Sequence, residues 1–324
     1  MSLPIRQRGV YAGIPDAEYH GAQWALSSSG ARYLLRAPAL FVARMERPRT
    51  SKAFDLGHAV HAKVLGVGAE IVTAPPEGYV PPQVLTLPDG TIGVTCPPEM
   101  LSKSGTMATA AAKEWRAAEE AAGSVVLTAS EMWRADAASR GLVVVTPSER
   151  RTVDAMAEAV LANPDARDLV ERPGIAEASV IAQDPATGEW LRARPDYLPD
   201  RTGEQAVMVD LKTADNADPR DFGRTCGRYG YQIQSAWYVE ALRLARGDEH
   251  PRIVFVAVEK EPPHLVSVTE LQALSHAAGM AARREAIDLW HACRETDHWP
   301  GYTPGIQPID IPNYLLDDDP ELSL

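Results

Sequence analysis

Three residues stand out for the chemistry they could do together. They are Asp196, in Arg194-Pro195-Asp196-Tyr197-Leu198, and the pair Asp210 and Lys212, in Val207-Met208-Val209-Asp210-Leu211-Lys212-Thr213. Ala206-Val207-Met208-Val209 is a continuous apolar run entered from Gly203 and Glu204, and it reads as a buried strand. Side chains alternate along a strand, so Asp210 and Lys212 project to the same side. A carboxylate there can grip Mg2+ while the lysine orients or deprotonates an attacking water, which is what hydrolysis of a phosphodiester requires. Taken alone, Asp-x-Lys at a strand end is more simply a surface ion pair, so the surrounding elements decide.

The sequence predicts those elements as follows. Leu26-Ser27-Ser28-Ser29-Gly30 leads into an amphipathic run with Arg32 and Arg36, and serines at that place cap a helix whose N-terminus can also take phosphate. Ser28, Ser29, Arg32 and Arg36 are therefore candidate DNA contacts. A helix over 51–65 carries Gly57-His58-Ala59-Val60-His61 at its centre. Residues 67–147 change texture, with Pro75, Pro76, Pro81, Pro82, Pro88 and Gly90 and then an alanine-rich helix over 108–122; they read as an insertion or accessory subdomain within one domain of 1–324. A helix follows over 147–169.

Strands over 176–182 and 189–194 flank the turn Asp184-Pro185-Ala186-Thr187-Gly188, with Glu177 on the first. The strand of Asp210 comes next, then a helix over 220–244, a strand over 252–259 and a long helix over 268–294. The fold class is α/β, a central mixed sheet of three or four strands flanked by helices. Residues 300–324 read as a polar tail against the body or a neighbouring subunit.

Bulk properties narrow the class. The chain has 324 residues, 45% hydrophobic and 23% charged, with no run of 18 apolar residues and no apolar leader, so a cytoplasmic protein without a membrane span is expected. Cys96, Cys226 and Cys293 are far apart and odd in number, which disfavours disulfides, a zinc knuckle and an iron-sulfur cluster. The formal charge of -12 argues against a nucleic-acid substrate until its distribution is considered. Arg32, Arg36, Arg44, Arg47, Arg49, Lys52 and Lys63 face only Glu46 and Asp55 within 31–63, whereas Asp317, Asp318, Asp319 and Glu321 crowd the tail. No phosphate-binding Gly-x-x-x-x-Gly-Lys loop, no His-Glu-x-x-His and no nucleophile elbow occurs.

Once the sheet is drawn, Glu177, Asp196, Asp210, Lys212 and His61 can converge. Asp196, Asp210 and the Leu211 carbonyl would supply oxygen ligands to Mg2+ or Mn2+, and His61 suits Mn2+ better. Gly57-His58-Ala59-Val60-His61, then Asp196 with Asp210-Leu211-Lys212, then Gln234-Ser235-Ala236-Trp237-Tyr238 follow the order Gly-x-x-x-His, Asp…(Asp/Glu)-x-Lys, Gln-x-x-x-Tyr. In that order the chain resembles the RecB-like branch of the PDDEXK nuclease superfamily, and more closely the RecE-like (exonuclease VIII) nuclease domains of phages and prophages. Leu26-Ser27-Ser28-Ser29-Gly30, the stretch from Lys52 to His61, Arg192-Ala193-Arg194-Pro195-Asp196 and Tyr231-Gln232-Ile233-Gln234 add to the likeness, which covers 26–312.

The resemblance implies a restriction-endonuclease-like core in which His61, Asp196 and Asp210 bind metal. Lys212 would serve the water, Glu177 would fill an acidic position, and Gln234 and Tyr238 would brace the site or touch DNA. It also implies a 5′-to-3′ exonuclease on linear double-stranded DNA ends for recombination, a ring-shaped homo-oligomer and a single-strand annealing protein as partner. The alternatives are an endonuclease or single-strand nuclease of the same superfamily, or a non-catalytic DNA-binding protein of the same fold.

Overall fold

The computed structural model describes residues 6–46, 56–68, 70–87, 90–104, 106–203 and 205–310. The chain opens with β1 (Gly9–Tyr11), α1 (Asp16–Gly21), β2 (Ala25–Ser27), α2 (Ser28–Arg36), α3 (Pro38–Glu46) and α4 (Leu56–Leu65). The Ser27 hydroxyl caps α2 by accepting from Gly30 N at 3.2 Å. Residues 51–55 of the predicted second helix, together with Arg47, Arg49 and Lys52, lie outside the described residues.

Residues 70–144 contain β3 (Glu70–Val72), β4 (Val84–Thr86), β5 (Ile92–Thr95), α5 (Ala110–Ala121), β6 (Val125–Leu127), α6 (Ala129–Ser139) and β7 (Leu142–Val144). β3 and β7 pair in parallel and so bring the two ends of the segment together, while β4, β5 and β6 form a small sheet of their own. Thr128 with Glu131 and Thr146 with Glu149 form capping boxes that start α6 and the following α7 (Pro147–Ala162).

α8 (Pro164–Val170) comes next, then β8 (Gly174–Ala176), β9 (Ser179–Gln183), β10 (Trp190–Ala193), β11 (Tyr197–Pro199) and β12 (Val207–Ala214). The chain continues through α9 (Pro219–Tyr229), α10 (Tyr231–Arg246), β13 (Arg252–Glu259), β14 (Val266–Thr269) and α11 (Ala273–Thr296). Among the described residues the core sheets are β14-β13-β12-β11-β8 and β1-β9-β10-β2, both mixed. β12 and β13 run parallel over all eight residues, joined by the α9–α10 crossover.

β12 opens on the apolar run Val207-Met208-Val209 because both of its faces are covered, as expected of a parallel strand with helices on either side, and Asp210 and Lys212 interrupt that pattern. Met208 belongs to one core with Phe255, Trp237 and Trp290, whereas Val209 and Leu211 belong to a second with Val60, Val153 and Met156. Asp210 and Lys212 share the face of Met208, the side toward α10.

The α/β class with a mixed sheet and flanking helices agrees with the sequence reading, and the details correct it. The strand predicted over 176–182 breaks at Glu177, whose φ of 50° is left-handed. The helix over 147–169 divides at Asn163, whose side chain caps α8 by accepting from Asp165 N and Ala166 N. The helix over 220–244 divides at Gly230, at φ 71°, and the first residues of the predicted last helix form β14 instead. Residues 300–310 are exposed, without regular structure. The tail's acidic residues, Asp317 to Glu321, lie outside the described residues.

Candidate active site and its basic groove

The site is built where β11, β12 and α4 meet. Asp196, at the entry to β11, accepts the Leu211 backbone N–H on Oδ2 at 2.6 Å, and its own carbonyl accepts Glu177 N at 2.8 Å. One residue thus ties the break before β9 to the middle of β12. From α4, His61 places Nε2 2.7 Å from the Leu211 carbonyl and Nδ1 3.5 Å from Asp196 Oδ2. A carbonyl can only accept, so Nε2 carries a proton, and Nδ1 is the ring nitrogen that faces the carboxylates. Ligand atoms of His61, Glu177 and Asp196 all lie within 4.8 Å of one another. Burial, followed by the negative charge of Asp196, pushes the Glu177 carboxyl up to about 7.

Asp210 stands beside this cluster, fully buried and already engaged. Oδ1 accepts from Gln234 Nε2 at 2.8 Å, and Oδ2 forms an ion pair with Lys212 Nζ. Burial pushes the Asp210 carboxyl up, with the Lys212 ammonium opposing it. For Lys212, burial alone would lower the value, but Asp210 and Asp196 outweigh it and raise it. Lys212 is therefore an ammonium donor, suited to orienting water rather than to taking its proton.

The structure brings His61, Glu177, Asp196, Asp210, Lys212 and Gln234 together. The Leu211 carbonyl accepts from His61 Nε2 at 2.7 Å with one of its two lone pairs. Tyr238 is buried, its phenol held well above the ordinary value by burial and then by Asp210, so it supports the site from beneath and does not reach solvent.

Residues that sequence reading missed complete the support. Tyr231, three before Gln234 and on the same side of α10, lies with its ring centroid 4.9 Å from Lys212 Nζ. Arg194 is buried, donating to Ser179 Oγ at 2.8 and 3.1 Å and to Ile14 O at 2.9 Å, and pairing with Asp16 at 2.5 Å. Its guanidinium lies 3.9 Å from the Tyr19 ring centroid. The signal for Arg194 was its place two residues before Asp196.

A groove of about 900 Å³, lined by Arg32, Arg36, Arg44, Arg192, Arg228 and His20 among others with no carboxylate among its described lining residues, connects to these supports through Tyr229, which stacks on Tyr231. Ser29 lines it and Ser28 is buried beneath. Arg32 donates to the Tyr229 carbonyl and to Ser29 Oγ, the latter at 3.1 Å. Arg192 forms part of the floor, with its Nη1 bonded to the Tyr19 carbonyl and its Nε buried without a hydrogen-bond partner. Cys96, Cys226 and Cys293 are buried free thiols. No described helix is long and apolar enough to cross a membrane.

A solved structure shares the fold. A candidate exonuclease from Eubacterium rectale superposes with a TM-score of 0.50 at 9% identity, covering 96% of this chain and all of its own. An alkaline exonuclease from Laribacter hongkongensis, 13% identical, overlaps 59% of this chain and 87% of its own with a TM-score of 0.23, too loosely to carry an argument. No curated protein matches the chain significantly in sequence. A family model, described as a PDDEXK-like domain of unknown function (DUF3799), matches residues 143–310, more than half of the chain and the part that holds Glu177, Asp196, Asp210, Lys212 and Gln234; the chain belongs to that family.

Proposed function

We propose that the chain is a metal-dependent deoxyribonuclease, a 5′-to-3′ exonuclease that degrades linear double-stranded DNA for recombination. The observation that carries this reading is the juxtaposition of the His61, Glu177 and Asp196 ligand atoms with the ion pair of buried Asp210 and half-buried Lys212. One imidazole and two carboxylates, buried and close enough that one carboxyl is held up near neutrality, form a donor set that a divalent cation would relieve. Mn2+ or Mg2+ fits it, with His61, Asp196 and Glu177 as ligands and Asp210 as the adjoining carboxylate. Such a cation would stabilise the negative charge that builds on the phosphate oxygens.

The chain's own groups do the rest. Lys212, held by Asp210 and seated over Tyr231, donates hydrogen bonds that aim the attacking water. Gln234 fixes Asp210, and through it the ammonium. The arginines of the groove receive the phosphates of the strand and hold it in register. Action at DNA ends, a ring of several copies and a single-strand annealing partner belong to the same proposal and draw their support from the resemblance of the sequence to RecE-like nucleases.

The test is digestion of linear and closed-circular duplex DNA with Mg2+ or Mn2+ and with EDTA, using the parent and Asp196→Asn. Metal-dependent loss of the linear form alone, absent in the variant, is the expected result. Cutting of the circle would make the enzyme an endonuclease on the same chemistry. A protein that binds both forms and cuts neither would be a DNA-binding member of the fold.

A further inference from the structure

A column of three aromatic rings runs from the core to the surface beside Lys212. Phe255, fully buried on β13, stacks on Tyr231 with centroids 5.7 Å apart and planes 20° apart. Tyr231 stacks in turn on Tyr229 at 5.9 Å and 23°. The middle ring is the one that contacts the lysine. The outer ring, Tyr229, is 50% exposed.

The break between α9 and α10 creates this column. Side chains two apart on an unbroken helix do not face each other. Gly230, at φ 71°, turns the chain so that Tyr229 and Tyr231 stack. A Cβ at Gly230 would lie 2.7 Å from Arg32 Cδ, so the turn also lets Arg32 reach the Tyr229 carbonyl.

Basic groups flank the exposed ring on both sides. The 900 Å³ groove and a smaller hollow of about 240 Å³ share Arg228 and Tyr229 in their walls, and the smaller one also has Arg224, Lys260 and, among its described lining residues, the single carboxylate of Asp215. Arg224 pairs with Asp221 and Lys260 with Asp215, while the Arg228 guanidinium lies 5.7 Å from the Tyr229 centroid. Arg220, Arg224 and Arg228 recur every fourth residue, on one side of α9.

Phosphate contacts alone account for cations on both sides of a groove, but not for an apolar ring set between them and continued inward as a stack. We propose that Tyr229 is a nucleobase platform: a base of an unpaired DNA strand stacks on its ring while the phosphates on either side run to the arginines of the two hollows. Stacking of this kind accepts any base, because every base has a π-face. The segment crossing Tyr229 is then read as single-stranded, since a paired base has its faces covered by its neighbours. This deepens the nuclease reading and rests on it.

The experiment measures binding by fluorescence anisotropy in EDTA, which suppresses cleavage. The probes are a labelled single-stranded oligonucleotide and one of equal length with abasic sites along its middle. The parent should prefer the base-bearing strand by about 5-fold or more, the lower end of what stacking on one aromatic ring supplies. Tyr229→Ala should lose that preference while keeping its affinity for the abasic strand, and Tyr229→Phe should retain it. A melting curve for each variant separates lost stacking from lost folding, and Tyr229→Leu keeps the bulk without the ring. A preference that is absent in the parent, or unchanged in both Tyr229→Ala and Tyr229→Leu, overturns the platform while cleavage of DNA keeps the nuclease standing. A parent that neither binds nor cleaves DNA overturns the nuclease reading and the platform with it.

Discussion

Gln234 Nε2 donates to Asp210 Oδ1 at 2.8 Å, and both atoms are buried, so a helix amide fixes the carboxylate that in turn holds Lys212. Replacing Gln234 with leucine leaves that oxygen without a donor, a loss on the order of 1–3 kcal/mol for a buried acceptor. Gln234→Leu should melt below the parent and cleave DNA at least about tenfold more slowly, whereas Gln234→Asn should lose activity with less loss of stability. Steady-state kinetics beside thermal melts would check both.

The Asp210–Lys212 pair carries a stability consequence that its sequence alone conceals. Removing Lys212 strands the buried Asp210 carboxylate and removing Asp210 strands a half-buried ammonium; breaking a fully buried pair costs roughly 3–5 kcal/mol, an upper bound here. Lys212→Met and Asp210→Asn should each abolish cleavage and lower denaturant stability. The double variant, with neither charge, should be more stable than Lys212→Met alone. A double-mutant cycle by urea denaturation measures the coupling, and simple additivity would deny it.

Arg194 acts through shape as well as charge. Its guanidinium serves Ser179, Ile14 and Asp16 at once and covers the Tyr19 ring, a set of contacts that an ammonium cannot reproduce. Arg194→Lys should therefore destabilise the fold by roughly 1–3 kcal/mol and reduce activity, since Asp196 lies two residues on. Denaturation midpoints compared with Arg194→Ala would show how little the retained charge recovers.

Crowding between α10 and α11 gives a sharper prediction. A Cβ on Gly279 would lie 2.0 Å from the Gln232 carbonyl oxygen, a main-chain atom that cannot swing away. Gly279→Ala must push the helices apart, at a cost of about 1–3 kcal/mol or more. Because Gln232 lies one residue from Ile233 and two from Gln234, cleavage should fall together with the melting temperature.

His291 ties stability to pH. Its Nδ1 lies 3.0 Å from Glu189 Oε1, and that hydrogen bond, supported by Glu295 and opposed by burial and Arg294, raises the imidazole above its ordinary value. The folded protein therefore favours the protonated ring. The stabilisation is full below the unfolded value, about 6.5, and is lost as pH rises through the folded one. Melting temperature should decline more between about pH 6 and 8 in the parent than in His291→Gln.

The sequence made β12, Asp210, Lys212 and the nearby Asp196 legible because the apolar run Ala206-Val207-Met208-Val209 announces a buried strand, and charges that follow it directly are conspicuous. What it hid were the breaks. Glu177 in a left-handed conformation and Gly230 between α9 and α10 leave no trace in hydrophobic periodicity, since the apolar pattern continues across both. Arg194 and Tyr231 were hidden for another reason. Each sits inside a stretch whose neighbours drew the attention, and only the three-dimensional contacts with Tyr19 and Lys212 reveal their use.

The two main-chain bonds at Leu211 bear on which sequences this centre can tolerate. Asp196 and His61 grip its amide and its carbonyl, while its side chain points the other way into the core of α4 and α7. The position between Asp210 and Lys212 is therefore chemically anonymous: any apolar residue that fills the same volume would present the same peptide. A proline there would remove the amide that Asp196 needs, and a polar residue would disturb the packing behind it. Variation at this position should follow size and water-aversion, independent of the metal or substrate the neighbouring side chains serve.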